Sequence, residues 1–106
     1  REETRINNIP QPLVHAVTTI RRIVTGRNEK HRESTERWLN QFGIKYEALI
    51  MANDKDAENY GEYKGRHYKT DNKAHLFVES CPQQSQVIFE VSGKPVLCYS
   101  TMEFLA

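Results

Sequence analysis

The sequence predicts an α/β fold, a three-layer Rossmann-like sandwich with a short, mostly parallel sheet of about four strands. Three observations lead there. Residues 20–25, 46–51, 74–79 and 95–99 are apolar runs of strand length. Polar segments, two of them with clear helical spacing, lie between these runs. The connections are short, and alternating strands and helices wind most economically into a parallel sheet with right-handed crossovers.

Taken in order, residues 1–19 read as a linker or the remnant of an upstream segment, with Asn7, Asn8, Pro10 and Pro12 breaking any regular pattern. Residues 20–106 form the folded part. Asn28 is placed as an N-cap, with Glu29 complementing the dipole of a helix over 28–42. In that helix His31, Thr35, Trp38, Leu39 and Phe42 make one buried face, Glu33 and Arg37 pair along the exposed side, and Gly43 is the stop. Residues 53–61 read as a polar loop and 62–72 as a short, poorly patterned helix at best. Ser80 reads as the cap of a further helix, with Pro82 in its first turn and Gln83 set for a capping box. Val87, Ile88 and Val91 supply its buried face and Gly93 its end. Residues 101–106 are a tail.

Composition narrows the class. The chain has 106 residues with 15 basic and 14 acidic side chains, a net charge of +1, and 38% hydrophobic residues; its mean hydropathy is -0.73. That describes one small core under a charged surface. No apolar run is long enough to cross a bilayer, and no charged-then-apolar leader opens the sequence, so the expected location is cytoplasmic, without a membrane partner. Mixed charge gives no clustered basic surface, which argues against a nucleic-acid partner. Cys81 and Cys98 read as free thiols in a reducing compartment, and the four histidines show no zinc-binding spacing.

The chemistry-bearing residues fall at strand ends. Thr25, Gly26 and Arg27 close the first apolar run just before a helix, where free N–H groups and a positive dipole end favour phosphate; glycine allows close backbone approach. Glu79 ends the third run, and Lys64 lies in the segment leading into it. A hydroxyl, an ammonium and a carboxylate on one edge of a sheet are the parts needed to hold a phosphoryl group and a divalent cation.

The run Ile23-Val24-Thr25-Gly26-Arg27, then Glu33-Ser34-Thr35-Glu36-Arg37-Trp38-Leu39, Gly43-Ile44-Lys45-Tyr46 and Leu76-Phe77-Val78-Glu79-Ser80, resembles the C-terminal half of haloacid dehalogenase-like (HAD) hydrolases. It looks most like phosphatase-like members, some of which are appended to phosphoribosyltransferase-like domains. The resemblance implies that Thr25 is the hydroxyl on the transferred phosphoryl, that Lys64 offsets charge on nucleophile and phosphate, with Lys69 and Lys73 as rivals, and that Glu79 holds Mg2+. The implied substrate is a small phosphomonoester, cleaved through an aspartyl-phosphate.

One departure matters. The family's Asp-x-Asp nucleophile motif precedes the threonine, whereas no aspartate here precedes Asp54. The nucleophile is therefore expected from a missing N-terminal segment or another chain, and the isolated piece is expected to bind without turning over. The one Asp-x-Asp present, Asp54-Lys55-Asp56, reads as a solvated loop. A competing expectation is a non-catalytic binding or regulatory module on the same scaffold; a third is a nucleotide-binding domain that does not hydrolyse. A truncated sheet would expose an edge, which leaves a homodimer open.

Overall fold

The structure is a computed structural model and describes residues 20–106, so the linker assignment for residues 1–19 lies outside it. The described residues are mixed α/β, with three α-helices and two small sheets. They divide into two compact units, the first ending at Ala57 and the second running Glu58–Ala106.

In the first unit, strand β1 (Ile20–Asn28) pairs in parallel with β2 (Tyr46–Ala52). The helix α1 (Arg32–Gln41) lies between them in sequence. β1 runs three residues past the predicted end. Pairing continues regularly to Val24↔Ile50, becomes irregular, and resumes at Asn28↔Ala52. Gly26 sits in that irregular stretch, where a residue without Cβ accommodates a local disruption of the ladder. Arg21, awkward in a strand buried on both faces, reaches across the sheet to Glu47 at 2.9 Å on an exposed side.

Asn28 does cap, but it caps a single 3-10 turn (Glu29–His31) that precedes α1, its side chain accepting from Lys30 N at 3.0 Å. Within α1, Thr35 and Leu39 are buried and Trp38 partly so, whereas His31 is exposed. Phe42 is 54% exposed. It falls after the last helical residue, where it stacks on Trp38 with centroids 4.8 Å apart instead of entering the core. Ion pairing along α1 runs through Arg32, to Glu29 at 2.9 Å and Glu36 at 3.2 Å. Gly43, at φ +67°, ends the segment as expected. Ile23, Leu39, Ile44, Leu49 and Met51 make the core.

The second unit begins with a better helix than the sequence promised. α2 (Tyr60–Lys69) is capped by Asn59, whose side chain accepts from Glu62 N at 3.0 Å. Its buried residues are Gly61, Tyr63, Lys64, Gly65 and Tyr68. Tyr63 and Tyr68 thus pack inside, and the helix begins at Tyr60, inside the stretch read as a polar loop. β3 (Phe77–Glu79) and β4 (Val96–Cys98) are parallel, and both are shorter than predicted. The tail supplies a further strand, β5 (Glu103–Leu105), antiparallel to β4.

The helix α3 (Pro82–Ser92) links β3 to β4 and ends at Gly93, which adopts φ +68°. Pro82 occupies its first turn, where a missing N–H costs nothing. α2 and α3 pack at close range because Gly61 and Gly65 face Val87 and Val91. A Cβ added at either glycine would stand 2.8 Å from the valine Cβ opposite. Tyr68, Ile88 and Val96 form the core, with Ala74, Phe77, Phe89 and Leu105 against it.

Candidate functional site

Lys64 is the residue that departs furthest from its type. Lysine normally keeps its ammonium in water, yet Lys64 is 1% exposed. It belongs to the buried side of α2, with Gly61, Tyr63, Gly65 and Tyr68. Its Nζ donates to Glu79 Oε1 at 2.9 Å and to Gln84 Oε1 at 2.9 Å. Glu79, 4% exposed, is the last residue of β3. Its Oε2 accepts from the backbone N–H of Ser80 and of Cys81, each at 3.1 Å. A buried ion pair is tenable when its remaining valences are satisfied in this way. Lys69 and Lys73, the rival lysines, are exposed.

The start of α3 corrects the capping prediction. The N-cap is Cys81, not Ser80, and its side chain makes no cap hydrogen bond. Moving the cap by one residue places Gln84 third in the helix in place of Gln83. The Gln84 amide oxygen then turns to Lys64 instead of back to the cap. Gln84 is thus a member of the site that residue-type reasoning missed; the signal was present, displaced by one position.

Beside Glu79, Cys98 closes β4 in register with it, and Tyr99 N donates to Glu79 O at 3.1 Å. The Cys98 sulfur lies 3.7 Å from Ser80 O and 3.4 Å from Ser100 Oγ. Burial pushes this thiol up, but the hydroxyls of Ser100, Thr101 and Ser85 and the Thr101 backbone outweigh it and bring the thiol down to about 7. The Ser85 hydroxyl is buried without a hydrogen-bonded partner, so it bears on the sulfur only loosely. Burial raises the Tyr68 and Tyr99 phenols above their ordinary range.

In the first unit, Thr25 and Gly26 are buried. Thr25 Oγ1 accepts from Arg27 N at 3.1 Å, and the Arg27 guanidinium turns toward α1, donating to Thr35 Oγ1 at 2.5 Å and to Ser34 Oγ at 3.2 Å. Both hydroxyls in turn donate to His31 O. The Thr-Gly-Arg triplet is therefore part of β1 and tied to the first turn of α1, where the sequence ended the strand at Thr25. Asp54 and Asp56 lie in a 3-10 turn (Asp54–Glu58); Asp54 Oδ1 accepts from Asn28 Nδ2 at 2.7 Å and Asp56 Oδ2 from Asn53 N at 2.8 Å. These contacts give the pair of acids a local tethering role.

Magnesium asks for octahedral oxygen ligands, commonly one or two carboxylates together with substrate phosphate and water. Glu79 brings a single carboxylate, one oxygen of it on an ammonium and the other on two N–H groups. Among the described residues no group of three or more His, Cys, Asp or Glu is placed to hold a metal ion. In this arrangement the residues do not fit the ion, and Glu79 would need both rearrangement and further ligands to bind it. Among the described residues no helix is long and apolar enough to cross a membrane. The sequence matches no protein-family model, no curated protein and no solved structure.

Proposed function

We propose that this chain is the phosphate-handling part of a HAD-like phosphatase acting on a small phosphomonoester. The observation that carries the reading is the buried Lys64–Glu79 pair, 2.9 Å apart at the carboxyl end of β3, because it joins the two residues that the resemblance names for the same site. In this reading Lys64 offsets the charge that builds on nucleophile and phosphoryl group, and Glu79 fixes where the ammonium stands. Thr25, Gly26 and Arg27, in the first unit, keep the phosphate-binding role that the sequence reading gives them. The nucleophile is an aspartate supplied from outside these 106 residues. Magnesium belongs to the reading only with ligands from that same source. The finer fold assignment, a three-layer Rossmann-like sandwich with a mostly parallel sheet, goes with it.

The second reading, a non-catalytic binding or regulatory module, draws on a specific observation. Both Glu79 oxygens are satisfied from within the chain, as expected of a carboxylate kept for structure. Hydrolysis of p-nitrophenyl phosphate, with and without magnesium, separates the two when run on the longest natural form and on this piece. Turnover by the longer form that falls at least a hundredfold in Thr25→Ala and is restored in part by Thr25→Ser supports the phosphatase. A longer form without turnover, or one indifferent to Thr25, leaves the module.

A further inference from the structure

The two cysteines, 17 residues apart in sequence, meet at one end of the second unit's sheet. Cys98 is the last residue of β4, its Cα in register with Glu79, and Cys81 follows Glu79 by two positions at the start of α3. The Cys98 sulfur touches Ser80 O at 3.7 Å, and that carbonyl belongs to the peptide leading into Cys81. In a trans peptide the carbonyl oxygen is ~2.8 Å from the next Cα, so the Cys98 sulfur is within about 6.5 Å of the Cys81 Cα. Ser100 Oγ holds the same Ser80 carbonyl at 2.6 Å, which fixes the two segments together.

The thiols differ in access. Cys98 is buried, whereas Cys81 is only partly so; its side chain makes no cap hydrogen bond to α3 and instead donates at 3.4 Å to the exposed Gln83. We propose that Cys81 and Cys98 are a peroxide-responsive pair that closes to an intramolecular disulfide, Cys81 being the thiol that meets the oxidant and Cys98 the one that resolves it. The Cys81 thiolate attacks one oxygen of hydrogen peroxide and the O–O bond breaks. Two electrons pass from sulfur to peroxide, the sulfur keeps a hydroxyl as sulfenic acid, and the other oxygen leaves as hydroxide, which takes the proton lost by the thiol and becomes water. The Cys98 thiolate then attacks the Cys81 sulfur, the S–O bond breaks, and the departing hydroxide takes the second thiol proton as a second water. Closing the bridge moves the segment whose N–H groups hold Glu79 Oε2, since Ser80 and Cys81 are those donors.

The test uses the whole 106-residue chain, reduced, desalted and treated with a small excess of hydrogen peroxide, then denatured and alkylated for intact mass and peptide mapping. The expected product is monomeric, lighter by two hydrogens, refractory to alkylation, with a Cys81–Cys98 cross-linked peptide, and returned to two alkylatable thiols by dithiothreitol. Cys98→Ser is expected to leave Cys81 running on to sulfinic and sulfonic acids, and Cys81→Ser to leave Cys98 reduced at the same dose. Cys98→Ala is the alternative if Cys98→Ser does not fold. Overoxidised Cys81 beside an alkylatable Cys98 in the unsubstituted chain, or bridges only between chains, would overturn the proposal. Because neither cysteine enters the phosphatase reading, the two stand or fall on separate results.

Discussion

Lys64 Nζ and Glu79 Oε1 are 2.9 Å apart, with only 2% and 3% of the respective side chains reached by solvent. Removing one member of a buried pair takes away the charge that the other was facing, which costs about 3–5 kcal/mol. Lys64→Met is therefore expected to lower unfolding free energy by that amount. Lys64→Met combined with Glu79→Gln should recover a large part of it, because the glutamine still accepts from the Ser80 and Cys81 N–H groups. Urea unfolding of the wild type, both single variants and the double variant completes the cycle; strict additivity would show that the pair is not coupled.

Gly65→Ala should destabilise by about 1–3 kcal/mol, the usual cost of overpacking. The added methyl meets Val91 Cβ at 2.8 Å and Cγ1 at 3.0 Å. Val91→Ala keeps the Cβ and is expected to give only partial relief. Thermal unfolding of Gly65→Ala, with and without Val91→Ala, reads this directly, and full rescue would mean that the Cγ1 contact alone sets the cost.

Asp54→Ala is expected to cost about 0.5–1.5 kcal/mol, the net worth of one hydrogen bond, here the one to Asn28. With Asp56→Ala added, phosphatase activity of the longer natural form should stay unchanged. A collapse of kcat would instead place the nucleophile in this turn.

The pH dependence follows from Cys98. Its folded value of about 7 lies below the ordinary 9.0, so the thiolate is favoured by folding. That contribution is complete above pH 9 and is lost as pH falls through 7. In reductant, stability should rise between pH 7 and 9, on the order of 1–3 kcal/mol, and Cys98→Ser should flatten the rise. Tyr68 and Tyr99 act in the opposite sense at higher pH. Their phenols are raised by burial, so their contribution is present below pH 10 and declines above it. Urea midpoints across this range give the measurement.

What the sequence revealed depended on how local the cause was. Gly43 and Gly93 both take the left-handed conformation expected of helix stops, and Pro82 opens its helix, because each effect is decided within a turn of the residue itself. α2 was obscured because its buried face consists of glycines, tyrosines and a lysine, which carry little hydropathy signal. Phe42 fits the helical spacing but falls beyond the helix end, so periodicity alone misplaced it. β5 is three residues long and owes its existence to β4, a partner that no local pattern announces. Of the site, residue types gave a hydroxyl, a lysine and an acid, and the resemblance paired the last two in role. The burial of Lys64, and Gln84 as its second acceptor, required the fold, since both depend on how closely α3 approaches α2.

That approach has a consequence for Lys64. Its ammonium reaches Glu79 from a backbone whose distance is set by Gly61 and Gly65, three residues before it and one after. The two glycines therefore work as a gauge: a methyl at either position widens the gap between the helices, draws the ammonium back from its acid, and detunes the charge pair without altering either charged residue. A screen for variants that weaken this pair should recover substitutions at positions 61 and 65 alongside those at 64 and 79.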